Sequence, residues 1–312
     1  MENLILIDWV SITYKYLKVG EVKRLLGLEN VPWELTTGAR GYRKREYYGG
    51  VSLHFDPSEK QPYKVWLEMS GQGCRTFESF GAGNFEQLLS MAQTEDGVHI
   101  TRLDVAFDDH TGLIDINEVA RKIKYQEYTA LASWWKVEIS SDGLSCYVGS
   151  PRSDLRIRIY DKAAERGATD EHWVRIELQL RDAHALGFTQ NRAPLGETFR
   201  GVLRKYLVFR EPNLNDSHKY RWEISPWYEA LLDGVEKISV LSQPGVEYNL
   251  ARCEHFVFEQ AGNAIDAWIK CYGAEAFFDR LHSRDVKPNL KYEKLVAEFH
   301  GLVKSIISKE YL

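Results

Sequence analysis

Apolar and polar residues alternate along several short segments in the first 181 residues of the chain. A period of two predicts a strand with one face in a core and the other face polar. Such segments are LILIDWVSITY (4–14), GGVSLHF, YKVWLEMSGQGCR, HITRLDVAFDD, KVEISS, SCYVGS, DLRIRIYD and HWVRIELQLR. Because they follow one another in hairpin-like sets, they predict an antiparallel sheet.

Apolar positions at the helical spacing of three and four residues occupy other parts of the chain. Among the strand segments these are EVKRLLGL, NFEQLLSMAQ and DINEVARKIKYQEY, the last with Asp115 as N-cap. Later ones are ETFRGVLRKYLVF, SPWYEALLDGV, EHFVFEQAGNAIDAWIKCYGAEAFFDRL and KLVAEFHGLVKSIISKEYL. We therefore expect an α+β protein with an antiparallel-sheet domain over residues 1–190 and a mainly helical region over residues 191–312.

Composition indicates a folded globular protein, since 44% of the 312 residues are hydrophobic. No apolar run approaches the roughly 18 residues that span a bilayer, and the first residues lack the pattern of a signal peptide. We expect a cytoplasmic protein without a membrane partner. The four cysteines show no C-x-x-C spacing, so neither a zinc site nor a disulfide framework is indicated.

The net charge of -5 means that any DNA binding depends on local basic clusters. The strongest cluster is GARGYRKREYYGG, residues 38–50, in which basic residues alternate with tyrosines. Its basic side chains are Arg40, Arg43, Lys44 and Arg45. Cations interleaved with aromatic rings suit a phosphate backbone with stacked bases. The alternative is an exposed hairpin tip.

A single tyrosine lies in a row of cations in the segment SDLRIRIYDKAAER (153–166). Alternation directs Leu155, Ile157 and Ile159 to a core. The opposite face then carries Arg156, Arg158, Tyr160 and Lys162. One interpretation is the solvated face of a half-buried strand. The other is that the cations lower the pKa of the phenol and hold a phosphate for it to attack.

Other strands carry carboxylates between arginines on one face. Arg102, Asp104 and Asp108 share a face of TRLDVAFDD, as Arg175, Glu177 and Arg181 do in VRIELQLR. Glu68 occupies a similar position in YKVWLEMSGQGCR. Clustered carboxylates repel one another, so a divalent metal ion, Mg²⁺ or Mn²⁺, is one explanation. A lattice of strand-to-strand ion pairs is the other. His99 is a weaker candidate ligand.

Seven blocks in order resemble the replication initiation factors of rolling-circle plasmids and phages. The blocks are IDWVSIT, EMSGQGCR, RLDVAFDD, YVGSPRSDLRIRIYDKAAE, RIELQLR, RGVLRKYLVF and SPWYEALL. The family also includes relaxases of integrative conjugative elements. The resemblance covers nearly the whole chain, and it implies a catalytic antiparallel-sheet domain related to other rolling-circle initiators and relaxases. Those wider relatives use an H-x-H metal motif, which this chain lacks.

The resemblance implies an enzyme that nicks one strand at an origin and rejoins ends. Tyr160 would be the nucleophile that forms a 5'-phosphotyrosine link, with Arg158, Lys162 and Arg175 stabilising the phosphate. Asp104 and Glu177 would hold the metal, with Glu68 and Asp108 as weaker candidates. DNA contacts would come from Arg40, Arg43, Lys44, Arg45, Arg75, Arg152 and Arg156.

The expected partners are origin DNA, as a duplex or extruded hairpin and as a single strand, a second copy of the chain, and a host helicase and polymerase. Origin recognition would belong to the helical region and to the polar loop 211–221. Two alternatives stay open: a conjugative relaxase of the same family, and a non-enzymatic DNA-binding regulator.

Overall fold

A computed structural model describes residues 3–168, 171–234, 254, 257–258, 261–283 and 296. Within them, the strands are β1 Leu4–Tyr14, β2 Glu34–Thr37, β3 Tyr42–Tyr48, β4 Val51–Pro57, β5 Val65–Met69, β6 Val98–Asp109, β7 Tyr128–Ala130, β8 Trp135–Ser140, β9 Gly143–Val148, β10 Leu155–Asp161, β11 Val174–Arg181 and β12 Leu207–Phe209. The helices are α1 Val19–Leu25, α2 Gly71–Phe80, α3 Phe85–Thr94, α4 Ile116–Lys124, α5 Lys162–Glu165, α6 Asp182–Thr189, α7 Leu195–Tyr206, α8 Pro226–Leu232, α9 Gly262–Tyr272 and α10 Ala274–His282. A 3-10 turn covers Lys219–Arg221.

Ten of these strands form one sheet in the order β2-β3-β4-β5-β1-β6-β11-β10-β9-β8, and β12 pairs with β7 in a second sheet. Every neighbouring pair is antiparallel. The predicted α+β fold with a large antiparallel sheet is confirmed. The strands with the chemical candidates, β6, β11 and β10, are direct neighbours near the middle of the sheet.

One face of the sheet is apolar and carries the core. Leu103 and Val105 of β6 and Ile157 of β10 are buried there with Phe188 of α6 and Phe199 of α7. The alternate residues of the same strands point away from this core, because successive side chains of a strand alternate between its faces. The helices α6 and α7 cover the apolar face, and the candidate catalytic residues lie on the opposite, polar face.

The prediction of one strand over YKVWLEMSGQGCR is wrong for its second half, which forms a helix. The strand β5 ends at Met69, and Ser70 begins the helix α2 by accepting a hydrogen bond from the backbone N–H of Gly73. Glycine is needed here because a Cβ on Gly73 would lie 2.3 Å from the carbonyl oxygen of Gly50. This close approach depends on the turn between β3 and β4, so alternation along the segment does not reveal it.

The helix predicted over ETFRGVLRKYLVF is also too long. The helix α7 ends at Tyr206, and the next three residues form β12, which pairs with β7. All three are buried, and a run of consecutive buried apolar residues suits a short strand covered on both faces.

By its contacts the chain divides into residues 1–242 and 243–312. The helices α6, α7 and α8 belong to the first unit, which thus continues past residue 190, where the sequence suggested a boundary. The second unit contains α9 and α10, and the helix predicted over residues 294–312 lies outside the described residues apart from residue 296. No helix in the described ranges has the length and apolar character needed to cross a membrane.

Candidate active site on the polar face of the sheet

Tyr160 lies on the polar face, on a strand enclosed by neighbours on both sides. Its register partners are Arg175 on β11 and Ser145 on β9. The guanidinium carbon of Arg158 lies 3.6 Å from the centre of the phenol ring, and the Lys162 amine lies 5.4 Å from it. With 2% of its surface exposed, the tyrosine is buried beneath these cations.

The expected lowering of the tyrosine pKa is wrong. Burial raises the pKa of Tyr160 above its usual value, and the carboxylates of Glu177 and Glu165 raise it further. Arg175 and Arg158 lower the pKa, but they do not outweigh burial. In the absence of DNA the phenol therefore keeps its proton near neutral pH.

The alternation predicted that Lys162 would continue the strand beside Tyr160, but it lies in a helix. The strand β10 ends at Asp161, whose carboxylate accepts a hydrogen bond from the backbone N–H of Ala164 and caps the short helix α5. Lys162 begins that helix and forms an ion pair with Glu165. Glu165 also lies 3.3 Å from the guanidinium of Arg158, so one carboxylate holds both cations beside the phenol.

Arg175 is fixed by two carboxylates. Its Nε and Nη2 atoms donate to the two oxygens of Asp108 at 2.6 and 2.7 Å, and its Nη1 lies 2.7 Å from Asp8. Asp8 lies at an irregularity of β1, where the register shifts between Ile7 and Trp9. Sequence reasoning missed Asp8; its only signal is a charge within the apolar run LILIDWV.

Asp104 and Glu177 are the two carboxylates that the sheet brings together. Burial raises the pKa of Asp104 to about 8; the Arg102 hydrogen bond opposes this shift, and the nearby Glu177 adds to it. The guanidinium of Arg102 donates to both oxygens of Asp104, and the Gln179 amide donates to Glu177 at 2.7 Å. Both acidic residues are at most 5% exposed.

This pair fits a metal ion that keeps water ligands. Mg²⁺ is commonly held by one or two carboxylates together with waters and substrate phosphates. In the part of the chain that the structure describes, no three His, Cys, Asp or Glu side chains form a ready cage. A cation between Asp104 and Glu177 would take the place of the proton that the raised pKa leaves on Asp104, so the donor set suits Mg²⁺ or Mn²⁺ completed by water and phosphate.

The weaker metal candidates, Asp108, Glu68 and His99, have partners or positions that differ from those of Asp104 and Glu177. Asp108 accepts hydrogen bonds from Arg175 through both oxygens. Glu68 lies on β5, separated from β6 by β1, and pairs in register with Ser11 and Ser52. His99 contacts Asp182 at 3.0 Å. Asp108 and His99 therefore have other partners, whereas Glu68 lies two strands from β6 but still acts electrostatically on Arg102, the partner of Asp104.

The basic residues expected to contact DNA lie in three different settings. Arg40, Arg45 and Arg156 lie over the rings of Trp66, Tyr47 and Tyr147, at 5.0, 5.3 and 4.1 Å. Arg43 and Lys44 pair with Asp56, and Arg152 is exposed in the turn after β9. Arg75 lies in α2, donates to the backbone oxygen of Ile7 at 2.7 Å and pairs with Glu78.

Comparison with known proteins identifies the class to which this fold and site belong. The family model described as "Replication initiation factor" matches residues 98–283, and the model described as "Rolling Circle replication initiation protein N-terminal domain" matches residues 4–93. The chain belongs to the family of rolling-circle replication initiation factors. The family resemblance seen in the sequence is confirmed.

Two particular proteins show the extent of the similarity. The putative DNA relaxase NicK of Bacillus subtilis (strain 168) is 24% identical over 267 residues, which cover 78% of this chain and 74% of the relative. The structure of a rolling circle replication initiator protein from Geobacillus stearothermophilus aligns with a TM-score of 0.69 and 30% identity. That alignment covers 76% of this chain and 99% of the other.

Proposed function

We propose that the chain is a site-specific DNA endonuclease and strand transferase that initiates rolling-circle replication. The observation that carries this proposal is that Tyr160 lies beneath Arg158 on the polar face of the sheet, where it is affected by Glu177, the partner of Asp104. A phenol, two cations and two acidic groups supply a nucleophile, a phosphate clamp and metal ligands.

The proposed reaction is a transesterification. The phenol oxygen of Tyr160 forms a bond to the phosphorus of one phosphodiester, and the bond from phosphorus to the 3' oxygen breaks. The phenol proton passes to a base, and the 3' oxygen leaves as a hydroxyl after taking a proton. The 5' end remains linked to the tyrosine, so the energy of the phosphodiester is kept and the step is reversible.

The neighbours of the phenol define the roles of the charged residues. The charges of Glu177 and Glu165 both act on Tyr160, and because Glu177 is assigned to the metal, Glu165 is the proposed acceptor of the phenol proton. Arg158 and Lys162, which lie 3.6 and 5.4 Å from the centre of the phenol ring, are the proposed cations that stabilise negative charge on the phosphate. Arg175 is itself held by ion pairs with Asp108 and Asp8, and it adds positive charge beside the phenol of Tyr160.

A divalent metal ion, Mg²⁺ or Mn²⁺, belongs to the same proposal. When bound, it would polarise a non-bridging phosphate oxygen and so stabilise the charge of the transition state. Asp104 and Glu177 would hold it. Glu68 and Asp108 are retained only as weaker candidates, because Glu68 lies two strands from β6 and the contact with Glu177 is made by Asp104 rather than by Asp108.

Origin DNA is the proposed partner, bound as a duplex or extruded hairpin and as a single strand at the nick. Arg40, Arg45 and Arg156 are the proposed contacts on the polar face, with Arg43, Lys44 and Arg152 at its edges. The region after residue 190 is proposed to contribute to DNA recognition or to pairing with a second copy. A host helicase and polymerase would act on the nicked product.

The similarity to a putative relaxase favours a second function with the same chemistry. A conjugative relaxase would nick an origin of transfer and release the strand to a recipient rather than to a polymerase. The same residues would act in both functions, so the target DNA distinguishes them.

The test is a nicking assay with supercoiled DNA that carries the gene and its neighbouring sequence. Wild type and Tyr160→Phe are compared with Mn²⁺ or with EDTA. We expect the wild type to produce nicked circles with Mn²⁺ and none with EDTA. We expect Tyr160→Phe to bind the DNA without cutting it under either condition. If both proteins bind and neither cuts supercoiled or single-stranded DNA, the chain is a DNA-binding regulator instead.

A further inference from the structure

A buried aromatic cluster lies in the β3–β5 part of the sheet, away from the proposed chemistry. It consists of Tyr42 on β3, His54 on β4 and Trp66 on β5, each at most 6% exposed. The rings of His54 and Trp66 stack with centres 4.3 Å apart, and the Tyr42 ring centre lies 6.3 Å from each. The proposed transesterification uses none of these residues.

Two polar atoms of this cluster are buried without a partner. Neither the Tyr42 hydroxyl nor Nδ1 of His54 has a hydrogen bond to any residue that the structure describes. The Trp66 indole, in contrast, donates to the Ser11 hydroxyl at 2.7 Å. Buried polar groups are nearly always hydrogen-bonded, so two unpaired groups in one cluster point to a ligand that supplies both partners.

The electrostatic setting favours a neutral ligand group within the cluster and anionic groups at its edge. Burial and the charges of Arg45 and Arg40 lower the pKa of His54 to about 4. Burial, with Tyr63, raises the pKa of Tyr42 to about 12. Both rings are thus neutral at pH 7, while two arginines stand beside them. A nucleobase flanked by phosphates has the matching distribution of charge.

Arg40 covers the cluster in a way that imitates a stacked base. Its guanidinium carbon lies 5.0 Å from the centre of the Trp66 ring, whereas the residue as a whole is exposed. Its backbone is left-handed with φ 51°, and Gly41 follows with φ 91°. A planar guanidinium on an indole occupies the place and shape that a base takes on an aromatic platform.

We propose that Tyr42, His54 and Trp66 form a binding site for one unpaired base of the DNA strand, a proposal that rests on the proposed nicking function. The base stacks on Trp66 in place of the Arg40 guanidinium and bonds to the Tyr42 hydroxyl and to Nδ1 of His54. Arg40 and Arg45 then contact the adjoining phosphates. The site fixes one nucleotide at a distance from the scissile phosphate and so sets the register of the strand.

The test separates base contacts from backbone contacts. Fluorescein-labelled 12-mers of dT, dA and dC are compared with a 12-mer of abasic residues that has the same phosphate backbone. Binding to the full chain is measured by fluorescence anisotropy at one low salt concentration. The ratio of the abasic Kd to the base-bearing Kd reports the bases alone, and for the wild type we expect about 10-fold or more for at least one base.

The decisive variant is Tyr42→Phe, which removes only the unpaired hydroxyl. We expect it to lower that ratio about 3- to 10-fold with no loss of thermal stability, because the folded chain gives the hydroxyl no partner. The matched control is Tyr14→Phe, since Tyr14 also has a buried hydroxyl without a partner among the described residues, but lies in the apolar core. This control should leave the ratio unchanged.

Two further results complete the test. Arg40→Ala should weaken binding of the abasic probe at least as much as that of the base-bearing probes, because it removes a phosphate contact and uncovers the Trp66 ring, so the ratio should not fall. If the wild-type ratio is close to one, or if Tyr42→Phe and Tyr14→Phe have the same ratio as the wild type, the base site is excluded. Nicking by the same preparations is scored separately, so a failure of the Tyr160 chemistry is distinguished from a failure of the base site.

Discussion

The guanidinium of Arg158 lies 3.6 Å from the centre of the Tyr160 ring and 3.3 Å from the carboxylate of Glu165. Arg158 is therefore held between the proposed nucleophile and an acidic residue of the following helix. Its position gives it two effects: it lowers the pKa of the phenol against the larger effect of burial, and it presents positive charge to a phosphate.

Replacement of Arg158 should slow the chemical step more than it weakens DNA binding. We expect Arg158→Gln to lower the nicking rate about 100- to 1,000-fold, the range found when a single charge-stabilising donor is removed. Because Arg158 lowers the Tyr160 pKa, the variant should also need a higher pH for the same relative rate. Single-turnover nicking between pH 6.5 and 9.5 measures both effects.

The matched control for that measurement is Arg156→Gln. Arg156 lies two residues before Arg158 on the same face of β10, with its guanidinium over the ring of Tyr147. It should weaken binding in a salt-dependent manner and change the chemical step less than about 10-fold. Equal losses of rate in the two variants would show that Arg158 acts only as a general DNA contact.

The metal ligands are tested by substitution without change of shape. Asp104→Asn and Glu177→Gln should each raise the Mn²⁺ concentration for half-maximal nicking at least about 10-fold, because each removes one of the two carboxyl groups that become anionic ligands when the metal binds. Glu68→Gln should have little effect, since Glu68 lies on β5, beyond β1. Calorimetric titration with Mn²⁺ compares the metal affinity of the three variants without DNA. A loss of affinity in Glu68→Gln alone would show that Asp104 and Glu177 do not hold the metal.

Arg175 should contribute strongly to stability as well as to activity. Arg175→Met leaves Asp108 and Asp8 without their common partner, and Asp108 is buried. Breaking a buried ion pair from one side costs about 3 kcal/mol or more. Urea denaturation measures this loss. Arg43→Met, which breaks an exposed pair with Asp56, should cost less than about 1 kcal/mol, and similar losses in both variants would contradict the account.

His54 gives a prediction for the dependence of stability on pH. Burial lowers its folded-state pKa to about 4, below the value near 6.5 of an unfolded chain. The unfolded chain therefore binds the proton first as the pH falls, so the folded state loses stability between pH 6.5 and 4.

The size of that loss is at most about 3 kcal/mol for this group. His54→Phe removes it, so the difference in unfolding free energy between wild type and variant should shrink or change sign as the pH is lowered from 7 to 4. Urea denaturation at several pH values measures the two curves. Parallel curves would show that His54 titrates in the folded chain as it does in the unfolded chain.

The polar row on the sheet could be predicted from the sequence because it depends on local alternation. Tyr160 and Arg158 differ by two positions, and Asp104 and Asp108 by four, so each set shares a face of its strand regardless of the rest of the fold. The same rule fails at Lys162, because the carboxylate of Asp161 caps a helix there and ends the strand.

Features that depend on several strands could not be predicted in this way. The pKa of Tyr160 rises because the fold buries the phenol and places Glu177 and Glu165 near it, whereas the segment itself shows mainly cations. Asp8, which pairs with Arg175, lies at the irregularity in β1, and the first turn of α2 packs Gly73 against Gly50 of the β3–β4 turn. These are tertiary relationships, and no short segment contains them.

The covalent link to Tyr160 is the most direct test of the whole account. A single-stranded oligonucleotide that the wild type cleaves is incubated with protein and Mn²⁺, the adduct is isolated and digested, and the nucleotide-bearing peptide is sequenced by mass spectrometry. The account predicts a 5'-phosphate on Tyr160, within the segment IRIYDK, and no adduct with Tyr160→Phe. An adduct on another residue, or cleavage by Tyr160→Phe at the wild-type rate, would contradict it.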